Sequence, residues 1–163
     1  MGFSTRGLAT GAALLMVFGL GPQAIAPPRR SAERGVRLAL VRLNGLLSRR
    51  DSAVVDEFVD AEDTLMIGAE DGERAQGLVQ IAEAFNRMFQ RPQTVSFAWR
   101  EVDVAVRADV AWLHADGQII LKDAAGGEER FPYRLAGVLE PHGGRWKWRL
   151  FQGSQPLRAA ARA

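Results

Sequence analysis

The sequence predicts an α+β domain in which three helices gather on one face of a curved antiparallel sheet. Three observations carry that expectation. Apolar residues recur at helical spacing only before Pro92, the four long segments after it alternate with period two, and the links between those four are short and turn-forming. Short links of that kind make consecutive antiparallel neighbours.

Length and composition set the frame. A chain of 163 residues holds one domain with a proper core. Its 47% apolar and 25% charged residues are ordinary globular proportions, which argues against disorder. Basic and acidic residues nearly balance, at 21 and 19, and the basic ones are dispersed apart from Arg29-Arg30 and Arg49-Arg50. Nucleic acid is therefore not an expected partner. There is no cysteine, and the two histidines, His114 and His142, lie in separate segments without ligand spacing. No metal site is expected. No glycine-rich phosphate loop precedes a helix, so no cofactor is expected either.

The first residues read as an export signal, residues 1–26. Arg6 gives a positive start, Leu8 to Leu20 is an apolar run too short for a comfortable membrane span, and Ala24-Ile25-Ala26 offers a small-x-small cleavage site. The expectation is a bacterial protein, periplasmic or secreted, with no stable membrane span. Pro27 would follow the cut and fits a peptidase substrate poorly, so cleavage elsewhere, an uncleaved anchor and a misplaced start codon stay open.

Residues 27–33 read as a linker, with Ser31 as the cap of a first helix whose stripe is Val36, Leu40, Leu43 and Leu47. Asp51 caps a shorter helix that buries Val54, Val55, Phe58 and Val59. Leu65, Met66 and Ile67 form a short strand, and Asp71-Gly72 turns it back into a brief partner ending near Gly77. Leu78, Ile81, Ala82, Phe85, Met88 and Phe89 mark a third helix, closed by Arg91-Pro92. The long strands are Thr94 to Val106, Val110 to Lys122, Arg130 to Glu140 and Arg145 to Ser154. The last places Trp146, Trp148, Leu150, Gln152 and Ser154 on one side. A side that starts with large hydrophobes and ends in hydrogen-bonding groups suits a strand that floors a core and then lines a cavity. Residues 157–163 read as a disordered tail.

The helix pair, Met66-Ile67-Gly68, Gly77-Leu78, Ala111-Trp112, Tyr133-Arg134-Leu135, Gly137-Val138-Leu139 and the closing GGRWKWRLFQGSQP together resemble the SnoaL-like family, of the nuclear transport factor 2-like superfamily. The resemblance covers residues 34–156. It implies a cone, a strongly bent sheet wrapped around the helices with a pocket at the open end, and a homodimer through the sheet. Family members of this type often carry histidine where this chain has Gln152. Glutamine cannot exchange a proton near neutral pH, so a mechanism using that base is lost.

Six residues are candidate ligand contacts: Trp99, Trp112, His114, Arg134, Gln152 and Ser154. Arg134 could fork onto a carboxylate or enolate oxygen, and His114 shares a face with Asp116, as a proton shuttle would. These two are also the candidate catalytic residues. Glu62, Asp63 and Glu101 are candidate acids, with helix termination or surface pairing as their plainer roles. Large aromatics chiefly fill cores, and Gln152 and Ser154 suit strand-end backbone groups equally well. The expected function is binding of a small apolar or aromatic molecule without established catalysis. The alternatives are an isomerase, cyclase or dehydratase, and a dimeric interaction module working through its sheet face.

Overall fold

The computed structural model describes residues 29–156, so residues 1–26, read as an export signal, and residues 157–163, read as a tail, lie outside the described residues. Helix α1 is Arg29–Ser48, followed by a 3-10 helix at Ser52–Glu57. Strands β1 (Leu65–Ile67) and β2 (Arg74–Gln76) form the short hairpin, and α2 is Gly77–Phe89. The long strands are β3 (Thr94–Arg107), β4 (Val110–Lys122), β5 (Glu128–His142) and β6 (Arg145–Ser154). Ser31 lies inside α1 instead of capping it. Arg, Ala and Glu are good helix formers, and Ala32 is buried, so the helix takes in the stretch read as a linker.

All the strands join one sheet in the order β2-β1-β6-β5-β4-β3. The four long strands pair antiparallel in sequence order, as the short links require. The sheet as a whole is mixed, because β1 lies parallel to β6, with Met66 opposite Phe151. That pairing begins before β1: Phe58 bridges Trp148, and the Val59 amide donates to the Trp148 carbonyl at 2.9 Å. The chain leaving the 3-10 helix is thereby laid along β6.

Turn chemistry follows the backbone. Residues His142 and Arg145 pair across Gly143-Gly144, both at positive φ, a two-residue connection that suits the twist of a hairpin. Asp51 caps the 3-10 helix by accepting from the Ala53 amide at 3.0 Å.

Helix α1 covers the free edge of β3. The Asn44 side chain donates to the Phe97 carbonyl at 3.0 Å and accepts from the Phe97 amide at 2.8 Å, while Arg37 donates to the Val102 carbonyl at 2.8 Å. Backbone groups that would otherwise recruit another strand are used internally. Val36, Leu40, Leu43 and Leu47 are buried as the helical spacing requires. Together with Phe58, Ile81, Leu135, Leu139 and Trp148 they fill the base of the bent sheet. A part-buried ion pair fixes α1 to the 3-10 helix: Arg42 Nε donates to both carboxylate oxygens of buried Glu57, at 3.1 and 3.0 Å, and its Nη2 donates to the Trp146 carbonyl.

Candidate functional site

Two β-bulges decide which side chains face the hollow of the sheet. In β3 the register slips at Arg100: Trp99 lies opposite Gly117 and Glu101 opposite Asp116. In β6 it slips at Arg149: Trp148 lies opposite Leu139 and Leu150 opposite Val138. Each bulge inserts one residue, and because side chains alternate with period two, everything beyond it changes sides. Trp146 and Trp148 face inward, and so do Phe151 and Gly153, whereas Gln152 and Ser154 face outward and are exposed. Glu101 is turned outward in the same way by the bulge at Arg100. Gly117 makes the first bulge sterically possible, since a Cβ there would lie 2.2 Å from the Ala98 carbonyl oxygen.

The residues expected to line a pocket are placed otherwise, Gln152 and Ser154 because of the β6 bulge, and Trp112, His114 and Arg134 because the opposite face of β4 and β5 turns inward. Trp112, His114, Arg134, Gln152 and Ser154 are exposed on the outer, convex face. They do come together there: His114 and Gln152 flank Ala136 in register, and Arg134 lies between Asp116 and Ser154. Arg134 and Gln152 share a surface as the sequence reading requires, but the hollow is on the other side of the sheet. The Arg134 guanidinium is also engaged, donating from Nε to Asp116 at 3.0 Å, and Arg100 binds the other oxygen of that carboxylate. The hydrogen bond from Arg134, with the two guanidinium charges, holds the Asp116 carboxyl below its ordinary range despite some desolvation. His114 with Asp116 is thus part of a surface charge cluster and reaches no enclosed volume. Trp99 is on the inner side, stacked on Phe97 with ring centroids 5.0 Å apart, but it sits behind the Phe97 and Tyr133 rings and does not line the hollow. Among the acids, Asp63 is an exposed partner of Arg149, and Glu62 is exposed beside the start of α2.

The hollow is a cavity of about 570 Å³ under α2 and the β1–β2 hairpin. Its walls come from residues the sequence reading did not assign to a site: Leu43 and Leu47 of α1, Phe85 and Met88 of α2, Phe97 of β3, Ile119 and Leu121 of β4, Phe131 and Tyr133 of β5, and Phe151 of β6. Charged side chains stand at its mouth, with Glu70, Asp71 and Glu73 of the hairpin facing Arg87 and Arg91 at the end of α2. Glu73 accepts from the Glu70 amide at 3.1 Å and lies 3.7 Å from the Arg91 guanidinium. Its carboxylate folds over Gly68, where a Cβ would lie 2.0 Å from Oε2. Tyr133 presents the phenol of the wall. Burial, with a smaller contribution from the Glu73 carboxylate, pushes that phenol well above its ordinary value, so it stays protonated. A visible signal for this wall is the pairing of aromatic residues with glycines across neighbouring strands. The Tyr133 ring crosses Gly153 and the Trp148 ring crosses Gly137, and a Cβ at either glycine would overlap the ring.

A bent sheet that closes over a cavity beside α1 and α2 is the architecture the resemblance implies, and the family model for the SnoaL-like domain matches residues 36–158. The chain belongs to the SnoaL-like family. Solved structures agree on the fold of this SnoaL-like protein. A nuclear transport factor 2-like superfamily protein from Salmonella enterica serovar Typhimurium superposes with a TM-score of 0.69 at 14% identity, covering 82% of this chain and 96% of that one. A nuclear transport factor 2-like protein of unknown function from Pseudomonas putida gives 0.66 at 16% identity, covering 79% and 89%. One from Novosphingobium aromaticivorans, with a cystatin-like fold, gives 0.66 at 15% identity, covering 81% and 87%. Such identities establish the fold alone. No curated protein matches the sequence.

Proposed function

We propose that this SnoaL-like protein is exported and binds one small, largely apolar molecule inside its cone. The observation that carries the reading is the cavity itself. Its volume of about 570 Å³ falls within the range of small-molecule sites, and aliphatic and aromatic walls with few polar groups are what such sites present. Binding is favoured over proton-transfer chemistry by the state of Glu73. That carboxylate acts on Tyr133 through space, but it is held by the Glu70 amide and Arg91, and no histidine lines the cavity. Export rests on the sequence of residues 1–26, whose positive start and short apolar run are those of an export signal. A second reading, a homodimer through the sheet, is favoured by one row of the convex face. Ala105, Trp112, Val138 and Leu150 lie side by side across the four long strands, and Trp112 is 50% exposed.

Native mass spectrometry of the full-length chain, expressed in a bacterium and recovered without denaturant, tests both parts. The expected spectrum shows a polypeptide beginning near residue 27 with a bound molecule that leaves on activation in the gas phase. Ala84→Trp, which pushes an indole into the cavity from α2, should abolish the bound mass. A bare polypeptide, together with no NMR shift at Phe97 or Phe151 on adding 2-ethylnaphthalene, would overturn the binding reading. An intact amino terminus in the cytosolic fraction would overturn export.

A further inference from the structure

Helix α1 has a second face, turned to solvent, whose side chains are not those of an ordinary solvated helix. Residues 29–50 carry seven arginines and one acid, Glu33, whereas residues 51–73 carry nine acids and no basic residue. Arg30, Arg34, Arg37, Leu38 and Val41 recur three or four positions apart, so they share one stripe, and all are exposed. Leu38 is 48% exposed and Val41 66%, although Val36, Leu40 and Leu43 on the other side of the helix are buried. The arginines farther along are already engaged: Arg42 is held by Glu57, Arg49 lies 4.0 Å from Asp51, and Arg50 donates to the Arg91 and Pro92 carbonyls. Among the described residues Arg30 and Arg34 have no ion-pair partner, and Arg37 donates to a carbonyl, that of Val102, which leaves its charge unneutralised. Glu101 and Asp103, on either side of Val102, turn to the convex face in register with Asp116 and His114.

We propose that this stripe of α1 lies on the surface of an anionic phospholipid bilayer, with the arginines on lipid phosphates and Leu38 and Val41 dipping below the headgroups. The inference does not depend on what the cavity holds. A guanidinium forks onto a phosphate as it does onto a carboxylate, and a bilayer offers phosphates and apolar depth side by side. That combination suits a stripe with aliphatic side chains among its cations, whereas a purely polar partner such as nucleic acid gives Leu38 and Val41 no place to go. Charge also sets the orientation. Arg37 stands at the β3 edge of the sheet, while Asp60 and Glu62 stand with Gln76 of β2 at the opposite edge, so a negative surface draws one edge and repels the other. Sequence position agrees, because α1 directly follows the segment whose apolar run, Leu8 to Leu20, reads as an export signal.

Co-sedimentation of the full chain with vesicles tests this. Binding to vesicles of equal parts phosphatidylcholine and phosphatidylglycerol is expected, about ten-fold or more tighter than to phosphatidylcholine alone. Combining Arg30→Glu with Arg34→Glu should weaken it by a similar factor. Labels on an otherwise unchanged protein guard against a poorly folded variant. The chain has no cysteine, so Val41→Cys carries a single environment-sensitive fluorophore, and Val79→Cys, at a site 75% exposed beside Asp60 and Glu62, is the control. Emission from position 41 should shift to the blue on phosphatidylglycerol vesicles, and emission from position 79 should not. Equal binding to the two kinds of vesicle, undiminished binding by the charge-reversed variant, or equal shifts at the two labels would overturn the proposal. A shift at position 41 that needs only a higher protein concentration would cover the stripe with a second copy of the chain and overturn it as well.

Discussion

The two faces of the sheet are built from the same four strands, and they solve opposite problems. On the concave face Leu135, Leu139, Trp148 and Phe151 are buried against α1, α2 and the 3-10 helix, and what the core leaves unfilled is the cavity. On the convex face the polar and charged residues pair with one another, as Arg100, Asp116 and Arg134 do, around the apolar row at Trp112. A residue's chemistry therefore does not by itself tell its face. Gln152 and Ser154 have the character of pocket groups, yet they stand on the convex side, while Gln155, just past the end of β6, reaches the cavity.

The contrast is broken most severely at Trp148, which is fully buried, packs edge-on to Phe151 at 5.6 Å between ring centroids, and lies directly over Gly137. Trp148→Ala removes the largest side chain of the core and leaves a hole the rigid sheet cannot close. A loss of about 3–5 kcal/mol in urea unfolding is expected, against less than about 0.5 kcal/mol for His114→Ala on the convex side. Similar losses for the two variants would show that the faces are not energetically distinct.

Arg149, the inserted residue of the β6 bulge, sharpens the comparison because it holds the point where the faces exchange. Its guanidinium forks onto Glu140 of β5 at 3.0 and 2.7 Å and also binds Asp63, so the bulged residue is anchored on the outside of the sheet. Hydrogen bonding from Arg149, with help from His142, holds the Glu140 carboxyl below its ordinary value of 4.5. A carboxyl depressed in the folded state contributes stability that is present above the unfolded value and is lost as pH falls through the folded one. Arg149→Met should therefore cost about 1 kcal/mol at pH 7, with the gap to wild type narrowing below about pH 4.5. A gap that stays constant down to pH 3 would show that Arg149 stabilises through packing and not through the ion pair.

Most of the architecture was legible in the sequence. Helical spacing from Val36 to Leu47 and from Leu78 to Phe89 locates α1 and α2, and Gly143-Gly144 fixes a hairpin by its backbone alone. The parallel seating of β1 on β6 was not legible, because it is set by long-range contacts such as Val59 to Trp148. The candidate site was misplaced for two physical reasons: Trp112, His114 and Arg134 lie where β4 and β5 pair without a slip, and alternation alone does not say which of two faces turns inward, whereas Gln152 and Ser154 lie beyond a bulge. A bulge changes the face of every later residue but leaves no mark on an alternating pattern, and RWKWRLFQGS reads as unbroken alternation until Arg149 is counted out. Trp146 and Trp148 were read on the correct side, and the error begins at Leu150, just past the inserted Arg149. The place of Tyr133 in the cavity wall depends on Gly153, a neighbour across the strands that strand-by-strand reading does not connect.

The smallest effect on stability is expected at Trp112, and there the question passes from folding to assembly. Half-exposed in the middle of the row formed with Ala105, Val138 and Leu150, it stabilises the monomer little, so Trp112→Lys should change unfolding by no more than about 0.5 kcal/mol. In a dimer formed across the convex face the same side chain is a central aromatic anchor, and a lysine there desolvates a charge against its own copy. Sedimentation velocity over a concentration series should then show a dimer for the wild-type protein and at least a ~10-fold weaker association for the variant. A wild-type protein that sediments as a monomer throughout, or a variant that dimerises equally well, would leave the apolar row without a role in self-association.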